Sequence, residues 1–310
     1  MMLSDKERDD RPGHGRAEKN AQADAHEGKQ EAEPKDEQKA EALDKEQEEI
    51  EQRSSPSGKV VYKTILKEGE EELQRPTSAL FWSGLAAGLS MSFSMITEGL
   101  LAAYLPPAGW RPLVAKLGYS MGFLLVILGR QQLFTENTLT PILPLLQRKD
   151  AQTFANVMRL WLVVLVANLL GGLAVALAIA HTNVFEPHVL EKFMEIGQEA
   201  VKPGFGTLLL RGIFAGWLIA LMVWLLPFAE TARVWVIILV TYVVGVAGFS
   251  HIIAGAVEAF TLAAWGRASW PGVVGRYLVP VLAGNIIGGV TLVATLNHAQ
   301  VVAGGSGEDV

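Results

Sequence analysis

Two stretches decide how this chain folds: Gly129-Arg130-Gln131-Gln132-Leu133-Phe134-Thr135-Glu136-Asn137, and Gly248-Phe249-Ser250-His251. Each interrupts an apolar run, the first spanning Gly118 to Leu146 and the second Val234 to Leu262. Similar signatures follow, Asn168-Leu169-Leu170-Gly171-Gly172 after the first and Asn285-Ile286-Ile287-Gly288-Gly289 after the second. The spacings agree, with 33 residues from Thr135 to Asn168 and 34 from His251 to Asn285. The preceding runs match as well, Gly84-Leu85-Ala86-Ala87-Gly88 against Gly212-Ile213-Phe214-Ala215-Gly216. Such an internal period marks a duplicated unit. Paired broken helices at corresponding places mark a solute path near the middle of the bilayer.

Working outward, six apolar runs are long enough to span a hydrocarbon core about 30 Å thick. They are Ser78 to Leu105, Gly118 to Leu146, Val157 to Ala180, Phe205 to Phe228, Arg233 to Ala264 and Val273 to Leu296. The expected fold is an all-α membrane protein with six transmembrane helices, the second and fifth broken. Three spans per half is an odd number, so the halves form an inverted 3+3 repeat. Glycines at four-residue spacing in these runs read as helix-packing positions. Lys59, Lys63, Lys67, Arg75, Arg148, Lys149, Arg159 and Arg233 fall on one side, a slight excess that puts both termini in the cytoplasm.

Overall composition, 50% hydrophobic and 19% charged with net charge -6, averages two unlike parts. Residues 1–58 are rich in Glu, Lys, Gln and Asp and are expected to be a disordered cytoplasmic tail. Residues 59–76 alternate Val61, Ile65, Leu66 and Leu73 with lysines and glutamates, as in an amphipathic juxtamembrane helix on the membrane surface. The channel domain is placed at 77–300, and 301–310 is read as a disordered C-terminal tail. The chain has no cysteine, which excludes disulfides and thiolate metal sites. Its polar N-terminus is not that of a cleaved signal peptide. No metal, cofactor or nucleic-acid partner is expected.

The candidate pore groups sit in the two breaks. His251 is an imidazole at membrane depth, where ionisable groups face cavities or partners, and its protonation responds to small changes near physiological pH. Thr135 offers a hydroxyl that can donate to an anion, beside the exposed amides of an unwound turn. Arg130 and Glu136 flank the first break and could pair with each other, with Glu98 or with Glu258, bracing the backbone. Gln131 and Gln132 could satisfy loop amides and carbonyls in the same way, and Asn137 closes the loop. Three rival readings are a neutral-solute pore, disfavoured because neither break carries an Asn-Pro-Ala turn; an intramembrane enzyme, disfavoured because a single deep histidine cannot make a three-ligand metal site; and a receptor or scaffold whose tail binds partners.

The string Leu133-Phe134-Thr135-Glu136-Asn137, the Gly-Phe-x-His at Gly248 to His251 and the paired Asn-x-x-Gly-Gly segments resemble the formate/nitrite transporter family over about Ser78 to Gln300. That resemblance implies an aquaporin-like protomer in a homopentamer of the bacterial inner membrane, each protomer with its own pore for small monovalent weak-acid anions, with protons as the coupled partner. It implies that Thr135 is the loop threonine and His251 the central histidine. Tyr119, Phe123, Phe134 and Val244 fall at apolar constriction positions, and Lys202 stands for a vestibule lysine. Two departures are plain: Arg130-Gln131-Gln132 replaces a Gly-Gly-Glu pattern, and Gly216 stands where many members carry a pore-facing Asn.

Overall fold

The computed structural model describes residues 57–304, and the described residues form helices and loops without strands. Helix α1 is Gly58–Gln74. Five helices are long and apolar enough to cross a membrane: α2 (Thr77–Tyr104), α3 (Arg111–Leu128), α5 (Ala151–His181), α7 (Phe205–Phe228) and α10 (Trp270–Gln300). Between them lie α4 (Ile142–Arg148), α6 (Pro187–Val201), and two shorter apolar helices, α8 (Arg233–Val246) and α9 (Ile252–Ala264). Large apolar side chains such as Trp82, Leu162, Trp235 and Leu239 face outward, as a lipid-facing surface requires.

Both interruptions are present. The first runs from the end of α3 at Leu128 to α4, containing only a short 3-10 turn at Glu136–Thr138. Its first half starts earlier than expected, at Arg111 rather than Gly118, because Pro112 can open a helix at its first turn. The second separates α8 from α9, with His251 capping the new helix. The last span widens to π-helical turns over Val273–Leu278 and Ile287–Thr295, on either side of the Asn285 segment.

Close helix crossings explain the duplicated glycines. A side chain on Gly88 would begin 2.1 Å from the Asn168 carbonyl oxygen, and one on Gly216 would begin 2.3 Å from that of Asn285. Gly171 and Gly288 meet the carbonyls of Leu85 and Ile213 in the same way. So α2 lies along α5 and α7 along α10, backbone against backbone.

Two expectations change. The apolar face of α1 is covered by protein: Tyr62, Ile65 and Leu73 are buried, and Gly69 lies against the Thr140 backbone. Arg159 clasps its C-terminus, donating to Leu73 O at 2.8 Å and Arg75 O at 3.2 Å. At the other end of the chain the helix continues through Gly304, so the first four residues of the expected C-terminal tail are helical. The remainder of that tail, and the N-terminal tail up to residue 56, lie outside the described residues.

Candidate functional site

Unwound backbone inside a membrane needs partners for its amides and carbonyls, and one asparagine supplies them at each break. Asn168 Oδ1 accepts from Phe134 N at 2.9 Å, while its Nδ2 donates to Gln132 O at 2.9 Å and Gly84 O at 2.7 Å. Asn285 Oδ1 accepts from Ile252 N at 2.8 Å, and its Nδ2 donates to Ser250 O and Gly212 O, both at 2.9 Å. Each asparagine therefore ties a break to the small-residue face of a neighbouring span. The sequence marked these residues only as a repeat signature; their bracing role depends on helices brought together from distant parts of the chain.

The braces hold the two breaks face to face. Thr135 Oγ1 and His251 Nε2 are 2.7 Å apart, and both residues are essentially fully buried. His251 Nδ1 accepts from Ala254 N at 3.2 Å as the cap of α9. With Nδ1 occupied as an acceptor, the ring proton of the neutral imidazole sits on Nε2 and is donated to the threonine. That leaves the Thr135 hydroxyl hydrogen free to point at a solute. Phe123 lies edge-on to the imidazole with ring centroids 4.9 Å apart, and Tyr119 packs on Phe123 at 5.5 Å.

Cavities open on either side of this pair. One of about 710 Å³ is lined by His251, Tyr119, Lys202, Lys116, Glu258 and Arg211, among others. One of about 400 Å³ is lined by Glu72, Arg75, Arg130, Gln132, Glu136 and Arg233, among others. They belong to opposite ends of α2. The smaller lies by its start, near Arg75; the larger lies near Lys116, which is paired with Glu98 at 2.5 Å. Thr77 and Glu98 are about 30 Å apart along a helix. His251 faces the larger cavity and Glu136, the residue after Thr135, faces the smaller, so the Thr135–His251 contact stands between them.

The other candidates divide between these places. Lys202 is in the wall of the larger cavity, and Arg130, Gln132 and Glu136 are in that of the smaller. Gln132 is a hub: its N bonds Ser83 Oγ at 3.0 Å, its Oε1 accepts from Asn137 Nδ2 at 2.9 Å, and its Nε2 donates to Glu72 Oε1 at 3.3 Å. Phe134 turns its ring to Trp161, 5.7 Å between centroids, and Val244 is buried on α8 with its carbonyl accepting from Phe249 N. Gly216, which the resemblance places on the pore, lies against the Asn285 backbone. The expected pairing of Arg130 and Glu136 with Glu98 or Glu258 is replaced by the Lys116–Glu98 bridge, and Glu136 Oε1 is buried without a partner among the described residues.

Three residues of the cavity walls were not singled out from sequence. Glu72 reaches from α1 into the first break and accepts from Thr140 Oγ1 at 2.5 Å. Burial holds its carboxyl above the usual carboxylate range, with the Thr140 and Gln132 bonds pulling it back down. Tyr277 places its hydroxyl where a side chain on Gly255 would otherwise be. Arg211 is the one charged residue in the apolar run Phe205 to Phe228; a lone cation at depth is itself a signal of a cavity.

Comparison with known proteins agrees with this all-helical membrane fold. The profile described as formate/nitrite transporter matches residues 59–299. The inner membrane protein YfdC of Escherichia coli K12 is 38% identical over 254 residues, covering 82% of each chain. The formate channel BtFdhC of Bacillus thuringiensis is 25% identical over 238 residues, 74% of this chain and 89% of that one. Among solved structures, a pentameric formate channel with formate bound superposes with a TM-score of 0.61 at 22% identity, covering 73% of this chain and 98% of its own. An FNT family ion channel gives a TM-score of 0.65 at 20% identity, over 78% and 99%.

Proposed function

The chain belongs to the formate/nitrite transporter family, and on that premise we propose that it carries small monovalent weak-acid anions through a pore gated chemically by Thr135 and His251. The observation that carries this reading is the 2.7 Å contact between those two side chains, set between a cavity on either side. Moving a bare anion through an apolar collar is far more costly than moving its neutral acid. The anion meets the Thr135 hydroxyl hydrogen, the one donor at the contact not already committed.

In the resting site the Ala254 amide occupies Nδ1, which favours a neutral ring. An anion arriving at Thr135 supplies the negative charge that makes an imidazolium tolerable. A proton taken from cavity water makes His251 an imidazolium. Its Nε2 proton passes to Thr135 Oγ1 as the hydroxyl hydrogen passes to the anion, the ring returns to neutral, and the neutral acid crosses the collar formed around Phe123. Flux is thereby coupled to protons.

Formate and nitrite are the substrates we propose first, supported by the formate channels among the relatives. The assembly we propose is a homopentamer with one pore per protomer, in the bacterial inner membrane with both termini cytoplasmic, supported by the pentameric neighbour and the inner-membrane relative. The chain lacks cysteine, so single cysteines introduced at either end can be labelled from one side to read orientation.

The test is uptake of formate, nitrite, acetate and lactate into proteoliposomes between about pH 5 and about pH 8, comparing wild type with His251→Ala. Proton-dependent flux lost in the variant supports the reading. Flux independent of pH and unaltered by the substitution contradicts it.

A further inference from the structure

The wall of the larger cavity carries three cations, and they differ in what they are free to do. Lys116 is held by Glu98 at 2.5 Å. Lys202 stands before the start of α7. Arg211 lies six residues, about 9 Å, into α7, and its side chain has no hydrogen bond or ion pair among the described residues. Neither carboxylate of this cavity, Glu199 or Glu258, forms an ion pair with it among the described residues.

Its position is set by the second break. Arg211 O accepts from Ser250 N at 3.3 Å, which anchors this turn of α7 to the loop. Gly248 sits in a left-handed turn at φ 64 and has no side chain to cover the guanidinium; a Cβ there would lie 3.7 Å from Arg211 Nη1. Thr207, one helical turn earlier, lines the same cavity. The guanidinium thus borders the cavity directly over the loop whose next residues are Phe249, Ser250 and His251.

We propose that Arg211 determines specificity, its planar fork holding both oxygens of a planar oxyanion in the last position of the vestibule before the Thr135–His251 contact. The ligand class is carboxylate or nitrite, favoured over a single-atom or linear anion of equal charge. The proposal rests on the anion-transport reading above and adds the group that reads anion shape. A guanidinium offers parallel N–H donors matched to two coplanar oxygens, whereas a lysine ammonium is a point charge blind to shape.

The experiment compares wild type, Arg211→Lys and Arg211→Gln, each checked for the wild-type gel-filtration profile. Binding of formate and of thiocyanate to purified protein is measured by calorimetry, and uptake of the same two ions is measured in proteoliposomes. Arg211→Lys keeps the charge and removes the fork. The expected result is about a tenfold weaker hold on formate, with thiocyanate changed less than about twofold, and both weakened in Arg211→Gln. Arg211→Lys behaving as wild type toward both ions, or losing both equally, overturns the proposal while leaving transport itself intact. Wild type that binds formate with the expected selectivity but moves no anion sinks the transport reading and leaves the Arg211 site standing. Wild type with no preference between formate and thiocyanate also overturns the proposal.

Discussion

Arg130 and Gly248 occupy the same left-handed turn in the two halves of the molecule, at φ 49 and φ 64. The hydrogen bonds around them correspond: Arg130 N to Ile127 O and Gly248 N to Gly245 O are both 3.2 Å, and Gln131 N to Val126 O and Phe249 N to Val244 O are both 3.0 Å. One half meets this backbone with the residue suited to it, and the other with an arginine. A left-handed conformation costs a non-glycine residue about 1–2 kcal/mol. Arg130→Gly should therefore leave stability unchanged or raise it by up to about 1 kcal/mol, the relief being partly offset by glycine's greater freedom in the unfolded chain. Gly248→Ala should lower it by about 1–2 kcal/mol, from strain alone, since the nearest atom to its Cβ is at ordinary contact distance. Thermal unfolding in detergent checks both; equal and opposite effects to these would refute the correspondence.

The bracing asparagines make a stronger demand. Asn285→Leu strips partners from Ile252 N, Ser250 O and Gly212 O, all in the buried interior. Gly212 O keeps its bond within α7, so two groups are orphaned at about 1–3 kcal/mol each, and the loss should reach at least about 2 kcal/mol. Asn168→Leu should behave alike, because it removes the corresponding set. Melting temperatures and the yield of monodisperse protein measure this. A leucine variant as stable as wild type at either position would show that the breaks are held by something else.

Thr135 is expected to matter through its hydroxyl. Thr135→Val keeps the shape, removes the donor aimed at the solute and leaves His251 Nε2 without its acceptor. Uptake should fall about tenfold or more, with Thr135→Ser near wild type and both variants folded. Valine carrying anion at the wild-type rate would remove the hydroxyl from the account.

Glu72 gives a pH signature on the α1 side. Its carboxyl is raised, chiefly by burial, so the folded chain holds that proton more tightly than the unfolded chain does. The sign follows: stability rises as pH falls from neutral through the raised folded value, and levels off below the ordinary carboxylate value. Glu72→Gln removes the titrating group while keeping one oxygen, able to accept from Thr140, and should flatten this part of the curve. Melting temperature against pH reads it out; a curve identical to wild type would place the titration elsewhere, with Glu68 as the neighbouring carboxyl to test.

How much of this was legible beforehand depends on the kind of contact involved. The breaks, the Asn-x-x-Gly-Gly signatures and the Thr135–His251 pair could be read because each is a local departure from an apolar run. Their register was another matter. Equal spacing set Thr135 opposite His251 in the repeat, but the Asn168 and Asn285 bonds and the Arg130 and Gly248 turns align His251 with Leu133. The two side chains meet because His251 starts α9 at once, whereas the first half runs through a 3-10 turn before α4. Glu72 could not be assigned from sequence, since nothing local brings residue 72 to Thr140. Gly212 and Gly216 read as packing positions from their spacing, but that the Asn285 backbone crosses Gly216 depends on α7 lying on α10.

The most direct test of the central claim follows protons and anion together across the Thr135–His251 contact. Proteoliposomes loaded with a pH-sensitive dye receive an inward formate gradient at about pH 6 and at about pH 8, with wild type or His251→Asn. The account predicts formate entry accompanied by internal acidification in wild type, faster at the lower pH, with both signals lost together in the variant. Formate entering at undiminished rate through His251→Asn, with the same proton movement as wild type, would contradict it.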